Sequence, residues 1–440
     1  MLSANVHVAF IDSSQVRSVA AHETFARMTL AWLSLASLVL AILVSCFTRL
    51  NVGVLSLALA WLVGVYIGGM SLNDVLAGFP VQLFLTLAGV TLLFSQAQLN
   101  GTLDKLARRA AALCGGNVGL IPVMFFILAS VIATLGPGNV ATAAMLAPMA
   151  MPMATRAGIP VFLMAIMVGN GAQAGGLSPF APTGIIVNGA LAHIGLGGHE
   201  WYWYWTVMAA HVVVGFGGYL IFGGWRLFSR RYEAVAETDA PASRFDRANW
   251  ITIAGILGVM AAVLFVKANI GMAAFVAAVV LAVLKVADHE QAIKRMPWQV
   301  IVMVSGVTVL ISMLEKTGGL DLFTGLLASI ATRNSLTAVI AFVTGTISVY
   351  SSTSGVVLPA FLPMIPGLIA RVGGGSPLAL AATMNIAGHL VDMSPLSTVG
   401  AVTIAGVPDG HDVKPLYNKL LAWGLSMTVV GAIGCWVFFR

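Results

Sequence analysis

Ser178-Pro179-Phe180-Ala181-Pro182-Thr183-Gly184 and Ser394-Pro395-Leu396-Ser397-Thr398-Val399-Gly400 are one phrase written twice. Each lies inside an otherwise apolar stretch and puts proline, hydroxyls and glycine where a helix would run on. Working outward, Leu87-Ala88-Gly89-Val90-Thr91-Leu92 matches Val304-Ser305-Gly306-Val307-Thr308-Val309. Twelve residues after each glycine, Gly101-Thr102-Leu103-Asp104 pairs with Gly318-Gly319-Leu320-Asp321, and Asn51-Val52-Gly53 faces Asn269-Ile270-Gly271. The offset stays between 215 and 218 residues throughout, a register that chance would not hold. The chain therefore divides into a lead (1–26), a first repeat (27–227), a polar linker (228–248) and a second repeat (249–440).

The solvent of these repeats follows from composition. Hydrophobic residues make up 59% of the chain and charged residues 9%, against roughly 25% charged in a soluble domain. Apolar stretches long enough to cross a bilayer, roughly 20 helical residues each, recur along the length. They run apolar continuously instead of alternating, which excludes a lipid-facing barrel. A large soluble enzyme is excluded with it. The net charge of +6 sits in short loops and reads as a topology signal, not as nucleic-acid affinity. Cys46, Cys114 and Cys435 are scattered and suggest neither a disulfide framework nor a metal site. The lead lacks a signal-peptide pattern and is expected to be flexible or surface-lying.

The expectation is an all-α membrane protein of two inverted repeats. Each repeat has five transmembrane crossings together with a helical hairpin and a broken helix. In the first repeat the spans are 28–48, 51–70 and 79–99, then an amphipathic piece with Lys105, Arg108 and Arg109. A hairpin at 117–155, a broken span at 160–196 and a last span at 202–225 complete it. The second repeat follows at 250–267, 269–286, 299–315, a hairpin at 335–371, a broken span at 377–406 and a last span at 417–438. Five is odd, so the halves must be oppositely oriented. With the N-terminus outside, 15 of the 22 basic residues fall on the inner side, the bias expected of inner loops. Both termini are then periplasmic. The run Trp201-Tyr202-Trp203-Tyr204-Trp205 falls at the outer interface, where it reads as an anchor with no part in transport.

Inverted repeats place substrate and ion sites at paired interrupted helices near the midplane, a secondary-transporter architecture. Here the interruptions pair: hairpin tips at Gly136–Asn139 and Ser351–Gly355, breaks at Gly175–Pro179 and Asp392–Pro395. Helix N-termini and free amides suit a carboxylate, and helix C-termini and unwound carbonyls suit Na⁺. Of 16 acids only Asp392 lies deep in a span, opposite Gly176 in the other repeat. It is a proton carrier, a cation ligand, or a cap for the half-helix near Ser394. No Lys or Arg lies deep, so a dianion would be held by hydroxyls, amides, helix dipoles and cations. His389 is placed to line the cavity, whereas His211 reads as a packed, hydrogen-bonded histidine.

At these motifs the chain resembles the ion transporter superfamily, the divalent anion/sodium symporters and, most of all, the malonate carrier (MatC-type) permeases. The stretch Gly175 to Gly189 is the most specific part, and the order of elements is similar from about residue 28 onward. The resemblance implies an elevator-type homodimer in a bacterial inner membrane, taking up a small dicarboxylate (malonate or a C4 acid) with Na⁺ and needing no resident cofactor. It implies substrate contact at Asn139, Thr183, Thr353, Ser354 and Thr398. Cation contact is implied at Gly138, Asn139, Gly175, Ser178, Ser354, Asp392 and Ser394. In the symporters both hairpin tips carry Ser-Asn-Thr; here they read Gly138-Asn139-Val140 and Thr353-Ser354-Gly355. H⁺ coupling, anion exchange or export, and the membrane subunit of a sodium-pumping decarboxylase are the alternatives. Against the last, the sequence holds no paired carboxylates, ligand-spaced His or Cys, or phosphate loop.

Overall fold

The computed structural model describes residues 13–48, 50–103, 105–106, 109, 116–231, 245–408 and 412–439. Secondary structure among them is helical apart from one isolated bridge between Asn117 and Arg231. Six helices are long and apolar enough to cross a membrane, and shorter apolar helices accompany them. This is a multi-pass helical membrane protein.

The two halves are punctuated alike. Asn51 accepts a hydrogen bond from the Gly53 amide at the start of Val52–Trp61, and Asn269 accepts one from Met272 at the start of Ile270–Val283. Side-chain caps of this kind satisfy backbone donors that the first helical turn leaves over. Short helices follow in both halves, Leu72–Leu76 under a Ser71 capping box and His289–Lys294 capped by Asp288. A proline then precedes each third span, Pro80 before Val81–Leu99 and Pro297 before Trp298–Thr317.

Glycines decide how these spans cross. Helix Val52–Trp61 packs on Trp298–Thr317, and Ile270–Val283 packs on Val81–Leu99. A Cβ on Gly53 would lie 2.2 Å from the Val302 carbonyl oxygen, and one on Gly306 would lie 2.1 Å from that of Gly53. Gly89 and Gly271 meet in the same way. Backbone touches backbone, the close approach that small residues permit between membrane helices. The second span of each half thus seats on the third span of the other.

A second group of helices carries the interruptions. The first hairpin, Leu120–Leu135 and Gly138–Arg156, packs on the first broken helix, Val161–Gly176 and Pro182–His193. In the second hairpin Leu336–Tyr350 leads to a tip that returns as a π-helical turn, Thr353–Val357, and continues to Val372. Its ascending arm packs on Pro377–Leu390, the first segment of the second broken helix, and on the final helix Lys414–Phe439. Helix Glu200–Ile221 touches the first segments of both broken helices.

Two expectations change. Helix is in place from Ser13 and runs to Phe47, so the second part of the lead expected over 1–26 is continuous with the first span. Gly319–Ser329 forms an amphipathic helix that sequence reading passed over in the second half. Its first-half counterpart lies largely outside the described residues, but Lys105 there is well placed. Its Nζ donates to Asp246 Oδ2 at 2.9 Å and to Asn249 Oδ1 at 2.7 Å. Asn249 Nδ2 in turn donates to the Asn100 carbonyl and Thr102 Oγ1. This polar knot ties the end of the third span to the start of the second half.

Candidate functional site

The two breaks are built on the same hydrogen bonds. In the first, Ser178 N donates to Gly175 O, Ala181 N to Ser178 O and Ile185 N to Ala181 O. In the second, Ser394 N donates to Val391 O, Ser397 N to Ser394 O and Ala401 N to Ser397 O. Each serine hydroxyl also accepts the amide two residues on, from Phe180 and from Leu396. Prolines at 179 and 395 cannot continue a helical ladder. Gly184 and Gly400 let the chain fold back, because a Cβ there would lie 2.0 Å from Ser178 O and 2.1 Å from Ser394 O.

On this frame six buried side chains form one chain of hydrogen bonds. Thr183 Oγ1 donates to Asn139 Oδ1 at 3.1 Å, and Asn139 Nδ2 donates to Gln173 Oε1 at 2.6 Å. Gln173 Nε2 donates to Asp392 Oδ2 at 2.7 Å. Thr353 Oγ1 and Ser397 Oγ converge on Asp392 Oδ1 at 2.7 and 2.6 Å. All four interrupted elements contribute: the first tip Asn139, the first break Gln173 and Thr183, the second tip Thr353, the second break Asp392 and Ser397. Asp392 is only 5% exposed, so an unpartnered carboxylate here would be prohibitively costly. Three donors make it tolerable, each charged hydrogen bond contributing about 1.5–3 kcal/mol.

Several expected site residues therefore meet, and others do not. Asn139, Thr183, Thr353 and Asp392 share the network. Gly138 shapes the tip, with φ +78 and the Pro182 ring 3.0 Å from an added Cβ. Ser178 and Ser394 are framing residues, and Ser178 also donates to Thr134 O at 2.7 Å, pinning the break to the hairpin. Gly175 is a packing glycine, its Cβ position 2.3 Å from Ser130 O. Ser354 is half-buried beside Thr353 on the tip, and Thr398 is exposed at the start of Thr398–Ala405. Sequence reading missed Gln173 and Ser397. Gln173 carried a usable signal, a side-chain amide in the middle of the apolar run 161–176.

The histidines flank this network. His389 Nδ1 is 2.7 Å from Asn385 O, and His211 Nδ1 is 2.9 Å from Asn170 Oδ1. His211 is thus packed and hydrogen-bonded as expected. His389 is fully buried one turn before Asp392, within range of its charge.

A hard monovalent cation is held by oxygen, and the residues fit that chemistry. The Asp392 carboxylate, the hydroxyls of Thr353 and Ser397, and the carbonyls of Gly388 and Ser351 lie together.

Paired helix interruptions meeting at one buried acid inside a multi-pass helical membrane protein are the arrangement in which secondary transporters place their sites. Residues 28–176 match the family model for the dicarboxylate carrier protein MatC N-terminus, which runs from the first span through the first segment of the first broken helix. The resemblance read from the motifs is thus shown over that part of the chain. No curated protein sequence matches. Among solved structures the fold is similar to that of the YdaH transporter of Alcanivorax borkumensis, described as having an unusual topology. That likeness has TM-score 0.56 and 16% identity, covering 94% of this chain and 98% of that one. It is also similar to MtrF of Neisseria gonorrhoeae, described with a class of antimetabolite efflux pumps (TM-score 0.55, 11% identity, 84% and 83% covered).

Proposed function

We propose that this protein carries a small dicarboxylate, malonate or a C4 acid, across a bacterial inner membrane together with a cation, Na⁺ in the first instance. The carrying observation is the single network that joins both hairpin tips and both breaks at Asp392. A cation at Asp392 offsets one charge of the substrate, and the tip residues Asn139, Thr353 and Ser354 offer amide and hydroxyl donors to its carboxylates. The family match over residues 28–176 supports the substrate class.

The halves act as inverted repeats with periplasmic termini. The recurrence of the break geometry at a constant offset supports the repeat, and the distribution of basic residues supports the orientation. The division of helices supports an elevator motion in a homodimer. The glycine-seamed second and third spans form the static part, and hairpins with broken helices form the moving one.

Uptake of radiolabelled malonate and succinate into proteoliposomes tests the reading. Imposed Na⁺ or H⁺ gradients are expected to drive accumulation above the level set by choline. No dicarboxylate flux under any cation gradient would overturn it.

A further inference from the structure

The network has a direction. Asp392 is the acceptor end of the Thr183–Asn139–Gln173 arm and receives three donors in all, as an ionised carboxylate, which can only accept, requires. That end dictates the rest. Gln173 must turn its NH₂ to Asp392, so its Oε1 faces Asn139, which must offer its own NH₂ and present Oδ1 to the Thr183 hydroxyl.

Put a Na⁺ on Asp392 and the requirement at Gln173 reverses, because a bound Na⁺ seeks oxygen and calls for Gln173 Oε1 instead of its NH₂. A half-turn of the Gln173 amide answers this, and its NH₂ then demands Asn139 Oδ1. Asn139 turns likewise and gives its NH₂ to Thr183 Oγ1. The Thr183 hydroxyl proton is released for another acceptor. No covalent bond changes.

The other two donors are equipped for the same change. Thr353 Oγ1 already lies 3.1 Å from Gly388 O, and Ser397 Oγ lies 3.5 Å from Ser351 O. Each can leave Asp392 Oδ1 for a backbone carbonyl, so no buried donor is stranded when the acid is neutralised.

We infer that Gln173 is a relay that reverses the polarity of this chain when a monovalent cation neutralises Asp392, freeing the Thr183 hydroxyl to bind the anionic substrate. Gln173 is a positioning residue that transmits cation occupancy in the second half to substrate affinity in the first. Binding the cation and the anion then become mutually favourable, as linkage requires. The inference rests on the transport reading above, with Asp392 as the cation's partner.

Val161–Gly176, Leu336–Tyr350, Pro377–Leu390, Thr398–Ala405 and Lys414–Phe439 pack on Val391–Met393, and the tip Thr353–Val357 reaches it through Thr353. His389 on the third of these is the ionisable side chain that acts on Asp392, with His211 behind it. Tyr350 is exposed, and Lys414, Tyr417 and Lys419 lie at the start of the final helix. Cys435, near its end, is turned toward Thr383 O. Acid sensitivity must therefore be separated from His389, which a His389→Gln control does.

The experiment is malonate affinity, read by thermal shift and by binding calorimetry on purified protein. Affinity is measured across a Na⁺ titration against choline and, separately, across a pH titration without Na⁺. Wild type is expected to gain roughly fivefold or more in affinity with Na⁺, and His389→Gln is expected to keep that gain. Gln173→Met, of similar length but without the amide, is expected to lose the dependence, its affinity changing less than about twofold. Thr183→Val is expected to weaken binding at saturating cation and to change it little without cation. This second variant decides the matter should Gln173→Met fail to fold. Asp392→Asn separates the two readings. If wild type shows no dependence, or Asp392→Asn keeps it, the assignment of Asp392 fails. If Asp392→Asn loses the dependence but Gln173→Met or Thr183→Val retains the wild-type pattern, the relay alone is overturned.

Discussion

The first and second breaks share a backbone and differ in charge. At offset 216 the same serine, proline and glycine make the same turns, yet Asp392 stands in one and Gly176 in the other. Packing supplies the reason. A Cβ on Gly176 would already lie 3.1 Å from Asn139 Cβ and 3.4 Å from its Cγ. The first hairpin tip comes so close to its break that a larger side chain at 176 would have to displace Asn139. The second tip leaves room, and fills it with the hydroxyls of Thr353 and Ser397. The two breaks thus share a backbone scaffold, while the tips pack on them unequally and only the second carries a charge.

The likeness of the backbones is the easiest claim to break. Gly400→Ala drives a Cβ to 2.1 Å from Ser394 O, and Gly184→Ala does the same at Ser178. Each is expected to cost about 3 kcal/mol or more, seen as loss of a monodisperse peak in detergent or a large fall in Tm. If only one of the two is damaging, the breaks are not equivalent.

The difference in charge is tested at Asp392. Asp392→Asn removes the charge and brings an NH₂ to partners that can accept it, the Gln173 amide oxygen and the Thr353 and Ser397 hydroxyls, so little loss of stability is expected. Cation-driven uptake is expected to fall by about tenfold or more. Full uptake with unchanged pH and Na⁺ dependence would reduce the acid to a structural acceptor for Gln173, Thr353 and Ser397.

A smaller effect is expected at Gly176. Gly176→Ala presses on Asn139 without meeting backbone, so a loss of about 1 kcal/mol or less is expected. Its mark should be a shift in substrate affinity, because Asn139 is displaced; an unchanged affinity would mean that the contact with Asn139 does not matter.

The smallest effect sets a scale with an acid outside the breaks. The Lys105 hydrogen bond, helped by the Asn249 amide, holds the exposed Asp246 carboxyl below its usual range. Its folded value lies below its unfolded one, so its stabilisation is present above the ordinary carboxylate range, about 4, and fades as acid titrates the folded group. Asp246→Asn should lower Tm slightly at neutral pH, and the gap to wild type should close on acidification. A gap that persists in acid would assign the effect to the Asn249 cap instead of the charge.

Much of this was legible in the residues. Length and apolarity of the stretches imply spans, because lipid admits only backbone that bonds within itself. The doubled phrase at 178–184 and 394–400 locates both breaks, since proline and glycine act through local geometry. The depth of Asp392 is legible for the same reason, as a lone acid between apolar segments. Less legible were Gln173 and Ser397, whose importance depends on residues more than two hundred positions away, and Thr398, whose exposure depends on how its half-helix is turned. Gly175 carried the composition of an ion site, and only its contact with Ser130 O makes it a packing residue.

What the sequence by itself determined is the helical membrane class, the register of the two halves and the four places where helices stop. All of these rest on interactions between near neighbours along the chain or with the surrounding lipid. Only the tertiary structure decided that Asn139, Gln173 and Asp392 form one directed chain, and that the first tip crowds its break while the second offers hydroxyls to its acid. Those outcomes depend on distances between side chains carried on separate helices, which hydrophobic packing and glycine contacts set and which no local pattern encodes.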